Sequence, residues 1–386
     1  MALVLVVNAG SSSLKFAVID PGTGERLLTG VHERIGEDDS SCPDHRSAFA
    51  MVHGELQRAD LVPDLIGHRV VHGGDHFTAP AVIDDDVLAA IVDCVPLAPL
   101  HNPAAIAGIE AAAAVLPGVP QVAVFDTAFH TTIPEAAHRY AIDPDVAAEH
   151  RLRRYGFHGT SHQFVSQRAA QYLGRSPEQV NIVSLHLGNG ASACAIRGGI
   201  SVETSMGVTP LEGLIMGTRS GDVDPAIPLI LQRAGWTPDD VDVLLNRGSG
   251  LRALCGDNDM REIHRRAAAG DPDADMARQM FVHRLRKYTG AYLAVLGRTD
   301  ALVFTAGIGE HDWWVREQVC ADLAGLGIVL DDAANRSTAE GPRSVASAQS
   351  AVAILVVPTD EECAIATQSW DRLAATHHHG SDVSDP

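Results

Sequence analysis

The feature that most constrains the fold is a strand, turn, strand unit that occurs twice. Residues 3–7 (LVLVV) are uninterrupted apolar, break at a polar turn over 8–13 (NAGSSS), and resume as a second apolar run over 14–19. Five consecutive apolar residues suit a strand covered on both faces, and Gly10 permits backbone geometry and close approach that a larger residue would resist. The stretch 181–199 (NIVSLHLGNGASACAIRGG) repeats this architecture: a strand over 182–187, a turn at Gly188, Asn189 and Gly190, and an exit strand of small and apolar residues. Backbone N–H groups in such turns, joined in the first by three serine hydroxyls and Lys15, can donate to phosphate oxygens. Lys15 and Lys287 are the only lysines of the chain, so a lysine here runs against composition. Taken alone, the first turn could equally be an ordinary hydrophilic hairpin. Two such units, one near the start of each half, imply an internal duplication, with each turn gripping one end of a polyphosphate from opposite walls of a cleft.

A chain of 386 residues exceeds what one core usually accommodates, so two domains are expected. A formal net charge of -20 disfavours nucleic acid or an anionic membrane as a partner. An acidic chain that binds phosphates must concentrate arginine and lysine locally or recruit a divalent cation. The six cysteines show no CxxC spacing, which reads as reduced thiols of a cytoplasmic protein. The N-terminal apolar run breaks at Asn8, and no stretch reaches the roughly 18 apolar residues of a spanning helix.

Residues 65–77 (LIGHRVVHGGDHF) read as a strand around His68 and Arg69 that ends at Gly73 and Gly74. The spacing of four between His68, His72 and His76 would suggest a metal face on a helix, but the paired glycines and β-branched residues argue for a strand and against a metal there. A guanidinium in an apolar strand needs an anionic partner, so Arg69 should meet either a structural carboxylate or a ligand. A buried strand over 121–125 delivers Asp126 at its C-terminal end, where ligands of open α/β sheets gather, although an N-cap would also explain it. Helices are expected over 48–58, 84–95, 104–116, 225–234, 276–296 and 363–375, with strands over 301–305 and 352–357 feeding Gly307 and Glu361. No GxxxxGK[ST] and no GxGxxG followed by a ribose-binding acid is present. The duplicated turn in a two-domain α/β chain therefore points to the superfold of sugar kinases, Hsp70 and actin.

Nine motifs, taken in order, resemble the signatures of the acetate and propionate kinase family: NAGSSSLKF, GHRVVHGG, PLHNP, VFDTAFH, RRYGFHGTSH, HLGNGAS, TSMGVTPLEGLIMGTRSGDVDP, FTAGIGE and PTDEE. The resemblance covers essentially the whole chain. It implies two duplicated actin-like (ribonuclease H-like) α/β domains with a cleft between them. Residues 1–128 would form the acyl-substrate side, joined by a helix over 363–376, residues 129–362 the nucleotide side, and 377–386 a disordered tail. It also implies a phosphotransferase with a carboxyl acceptor, moving the γ-phosphoryl group of ATP reversibly to acetate with Mg2+, for which Mn2+ can substitute, in a homodimer.

The resemblance assigns roles residue by residue. Arg69 engages the acetate carboxylate, Arg219 contacts the transferring phosphoryl group, His158 hydrogen-bonds its oxygens, and Asp126 orients an arginine or ligates metal indirectly. Asn8 and Glu361 hold the cation, with capping of the following helix as the alternative for Glu361 or Glu362. Ser11, Ser13 and Lys15 match the first phosphate turn, and His186, Leu187, Gly188, Asn189 and Gly190 the second. Asp259, Met260 and Arg261 match the adenosine contact, and Gly307, Ile308, Gly309, Glu310 and His311 a glycine turn near the ribose and α-phosphate. Val71, Leu100, Phe157 and Pro210 line a methyl-sized acyl pocket. His311 and Asp360 depart from the asparagines more usual at those positions, which bears on nucleotide preference and adds charge beside the metal ligand. Two rivals stand beside this reading: a propionate or butyrate kinase of the same family, with a roomier pocket, and a non-enzymatic nucleotide clamp of the superfold.

Overall fold

In the computed structural model, which describes residues 2–37, 42–99 and 101–379, the N-terminal apolar run becomes β1 (Val4–Ala9) and pairs antiparallel with β2 (Ser13–Ile19). The chain divides into two units, Met1–Thr131 with Asp360–Pro386, and Thr132–Thr359. The first contains a six-stranded mixed sheet completed by β3 (Arg26–Glu33), β4 (Leu65–Val70), β5 (Ala81–Val82) and β6 (Gln121–Phe125), in the order β3-β2-β1-β4-β6-β5. Strands β1, β4 and β6 are parallel. Side-chain alternation explains why β1 has no polar residue in its first half. Leu5 and Val7 enter a core with Phe49, Val52 and Leu56 of the helix His45–Arg58 and with Ala111 and Ala112 of the helix Asn102–Val115. Val4 and Val6 enter another with Ile365 and Ala366 of the terminal helix Glu361–His379.

The strand expected to run from 65 to the paired glycines Gly73 and Gly74 stops at Val70. The reason is Asn102, whose side chain accepts from the His72 N–H at 3.1 Å and donates to its carbonyl at 3.0 Å, taking the bonds a ladder neighbour would make. Gly67 is needed for close approach: a Cβ there would lie 2.6 Å from Ser369 Oγ of the terminal helix. That helix runs to His379, further than expected, and the remainder of the tail, 380–386, lies outside the described residues.

The second unit repeats the plan. Strands β7 (Asn181–Leu187), β8 (Ala191–Arg197), β9 (Ile200–Thr204), β10 (Ala301–Thr305), β11 (Arg343–Ser344) and β12 (Ala353–Val356) are ordered β11-β12-β10-β7-β8-β9. Here too an antiparallel meander, β7-β8-β9, adjoins two parallel strands, β10 and β12, and an antiparallel edge strand, β11. Each strand thus has a counterpart in the first sheet. The helices Gly159–Tyr172 and Ala306–His311 pack on β7 and β10, and the helix Pro272–Leu296 on β7 and β8. The last begins four residues before 276, where it was expected, because Asp271 caps it by accepting from the N–H groups of Asp273 and Ala274. Among the described residues no helix is long and apolar enough to cross a membrane.

Candidate active site

In the first unit the period-two pleat carries three polar residues to one place. Val4 and Val6 face the terminal helix, as do Leu65 on β4 and Val122 and Val124 on β6. The next residues of the same parity at the C-terminal ends of these parallel strands are Asn8, Arg69 and Asp126, and the helix covering that face begins at Glu361. Arg69 Nη2 donates to Asp126 Oδ2 at 2.6 Å, and Arg69 Nε lies 3.8 Å from Glu361 Oε2. Asp126 is buried, and its charge raises the Arg69 pKa against the opposing effect of burial, so the guanidinium is held charged. The anionic partner required by Arg69 is thus first a structural carboxylate. Lys15 is the cross-strand neighbour of Asn8, with Ser11 in the turn between their strands and Ser13 at the start of β2. His68 points the other way, buried, with Nε2 bonded to Gln121 Oε1 at 2.6 Å.

Asp360, not Glu361 or Glu362, supplies the side-chain cap of the terminal helix, accepting from the Cys363 N–H at 2.9 Å. It also pairs with Arg26, which reaches Glu362 as well. The charge that this position adds beside Glu361 is therefore met locally. Val71 follows the end of β4, and Leu100 lies outside the described residues.

In the second unit His158 sits at the N-cap of the helix Gly159–Tyr172 with φ 55, a left-handed conformation uncommon outside glycine and asparagine. Its Nδ1 is 2.8 Å from Ser192 Oγ, which is also 2.8 Å from His162 Nε2. Its ring stacks on His186 at 4.2 Å, and His186 Nδ1 is 2.8 Å from Ser161 Oγ. The remaining nitrogen, Nε2, points to the second turn: a Cβ on Gly190 would be 3.5 Å from it and 2.9 Å from Arg219 Nη2. A side chain at 190 would have to displace the Arg219 guanidinium, while the His158 ring lies at ordinary contact distance. Arg219 donates to the Pro210 carbonyl at 2.7 Å, no carboxylate pairs with it among the described residues, and burial lowers its pKa. A half-buried guanidinium without a carboxylate partner among the described residues has the chemistry to meet an anion; within the adjoining turn the Gly188 N–H is given to the Gly190 carbonyl at 3.0 Å. Phe157 is buried in the same segment as His158.

Next to that turn is a cavity of about 680 Å³. Of the residues expected to meet a nucleotide, Gly188, Asn189, Asp259, Met260 and Arg261 line it, as do Gly307, Ile308 and His311. Asp259 caps the helix Met260–Ala268 and holds Arg261 by two bonds, 2.7 and 3.0 Å long. The segment expected as a glycine turn over 307–311 is instead a short helix, Ala306–His311. Leu187 is buried in β7, Gly309 packs against Phe304 and Leu185, and the Glu310 carboxylate accepts from the Thr359 N–H at 3.1 Å. These three do not line the cavity. The sequence reading missed Gly217, Leu251, Asn258, His264, Asp312 and Trp313, which do. Gly217 carried a signal, since it lies two residues before Arg219 in MGTRSGD; its N–H donates to the Asn189 carbonyl at 2.9 Å. His264, bonded to Asp312 at 2.7 Å, carried none.

Two sheets of one topology, with glycine-rich turns at matching strand ends, define an α/β protein of the actin-like fold class. Solved structures of that class superpose over nearly all of the chain. Acetate kinase of Porphyromonas gingivalis does so with TM-score 0.92 at 40% identity, over 97% of this chain and 100% of that one. A propionate kinase of Francisella tularensis gives TM-score 0.91 at 41% identity, over 96% and 100%. The model of the Acetokinase family matches residues 3–367. An acetate kinase of Streptomyces coelicolor is 54% identical over 390 residues, 95% of this chain and 96% of the relative. The chain belongs to the Acetokinase family, and with it to the phosphotransferases that use a carboxyl group as acceptor.

Proposed function

We propose that the protein transfers the γ-phosphoryl group of ATP reversibly to acetate, giving acetyl phosphate and ADP. The observation that carries this reading is Arg219, without a carboxylate partner among the described residues and set against the Gly190 turn beside His158 Nε2. A carboxylate oxygen of acetate attacks the γ-phosphorus, the bond to the β,γ-bridging oxygen breaks, and ADP leaves. The acceptor is already anionic, so no base has to remove a proton, and the demands on the protein are alignment and charge neutralisation. Arg219 and His158 would take the equatorial phosphoryl oxygens. Arg69, fixed by Asp126, would take the acetate carboxylate. The N–H groups at Asn189 and Gly190 and the serines and lysine of the first turn would hold the phosphates, and the 680 Å³ cavity the nucleoside.

Asn8 and Glu361 offer one neutral and one anionic oxygen at the end of β1 and the start of the terminal helix. That set suits Mg2+, or Mn2+ in its place, an ion that keeps most of its coordination for water and phosphate. When bound, it would neutralise charge on the β- and γ-phosphates. Val71, Leu100, Phe157 and Pro210 would bound the acyl methyl group. Family resemblance further supports a cytoplasmic homodimer, which sedimentation velocity tests. A second reading, propionate as preferred acid, is favoured by the Francisella tularensis propionate kinase at 41% identity.

Trapping acyl phosphate as hydroxamate, with acetate, propionate and butyrate compared at equal ATP, tests the proposal. The highest kcat/KM should be with acetate. Preference for propionate would establish the second reading, and ATP turnover without any acyl phosphate would overturn both.

A further inference from the structure

A second cavity of about 450 Å³ shares His311 and Trp313 with the nucleotide cavity and is bounded by Arg316, Arg336 and Arg343. Arg316 is buried, and its guanidinium makes four hydrogen bonds, to the Asn335 amide oxygen and to the carbonyls of Gly309, Glu310 and Asn335, none of them charged. Arg343 donates to the carbonyls of Ala339 and Glu310, while its Nε is buried without a hydrogen-bond partner. Arg336 lies over the Trp313 ring at 3.5 Å and 3.7 Å from Glu317. Two carboxylates line the cavity, Glu310 and Glu340, and that of Glu310 is engaged by the Thr359 N–H.

A chain of net charge -20 thus gathers three guanidiniums around one cavity, two of them with no ion-pair partner among the described residues. Burial and the neighbouring Arg343 push Arg316 down to about 10, and burial lowers Arg343 against the attraction of the Glu310 carboxylate. The Arg343 charge bears on the buried Arg316, and an anion in the cavity would offset that repulsion.

We propose that this cavity is a second anion site, which takes a small phosphate-bearing dianion through Arg343 and Arg336. Its volume exceeds that of free phosphate, so inorganic phosphate and a phosphate monoester are the two sources of the same chemistry. Because His311 and Trp313 belong to both cavities, occupancy of one alters a wall of the other, and any such coupling is reciprocal.

Calorimetric titration of inorganic phosphate and of glycerol 3-phosphate distinguishes the sources. The titrations use the full chain carrying Arg219→Ala, which removes the main anion contact at the Gly190 turn. At least one probe should bind, and adding Arg343→Met should weaken it at least tenfold. Arg336→Met, at an exposed guanidinium that a folding defect is less able to confound, should weaken it at least threefold. Absence of binding by both probes in Arg219→Ala, or unchanged affinity in both added variants, would overturn the proposal.

Discussion

Arg219 and Arg69 have the same side chain in opposite electrostatic settings. Arg69 is neutralised by the buried Asp126, with Glu361 nearby, whereas Arg219 has only the Pro210 carbonyl and the open turn. Arg219→Ala should therefore lower acyl phosphate formation by about 10³- to 10⁵-fold, as loss of an arginine finger does, with ATP affinity, measured by equilibrium binding, changed only a few-fold. Turnover near the parent rate would remove Arg219 from the reaction. Gly217 makes a different kind of contribution. A Cβ there would stand 1.9 Å from Asn189 Oδ1, which accepts from Asn258 at 2.8 Å. Gly217→Ala must displace Asn189 and should raise the KM for ATP about tenfold, or about 1.4 kcal/mol. An unchanged KM would show that Asn189 does not meet the nucleotide.

The elements explain how much of this was legible in advance. The series Val4, Val6, Asn8; Leu65, Gly67, Arg69; and Val122, Val124, Asp126 each step by two along parallel strands. Strand period alone therefore brings the three polar residues to one face once the strands are recognised. The helix Ala306–His311 was not legible, since its two glycines read locally as a turn and only packing of Gly309 against Phe304 and Leu185 favours the helix. Gly67 shows the same dependence on a distant partner. Gly67→Ala should destabilise the first unit by about 1 to 3 kcal/mol through overpacking against Ser369 and Ile365. Adding Ser369→Ala should recover part of the lost Tm; no loss in the single variant would mean that the terminal helix yields freely. His68 on the opposite face of β4 contributes a pH dependence. Burial pushes it down to about 4, below its ordinary 6.5, so the folded chain keeps it neutral while the unfolded chain takes up the proton first. Its contribution is complete above pH 6.5 and falls away as pH drops toward 4, by up to about 3 kcal/mol. His68→Gln should flatten Tm against pH in that window, and an identical slope would refute the assignment.

For the whole molecule, the proposed transfer calls for a cation and a small acyl group. Chelation by EDTA should abolish acyl phosphate formation and added Mg2+ restore it; turnover that survives chelation would remove Asn8 and Glu361 from that role. The extra methylene of propionate should lower kcat/KM by about 10- to 200-fold relative to acetate, the usual discrimination available to an apolar pocket. The sequence by itself determined the duplicated strand and turn units and the strands that carry Asn8, Arg69, Asp126 and His186, because apolar runs, period-two alternation and glycines act over a few neighbouring residues. Only the tertiary structure decided which charges are neutralised. Asp126 meets Arg69 across 57 positions, Asp360 is held by Arg26 across 334, and Arg219 is left to the turn. Such pairings depend on strand order and helix packing, and no local pattern in the chain encodes them.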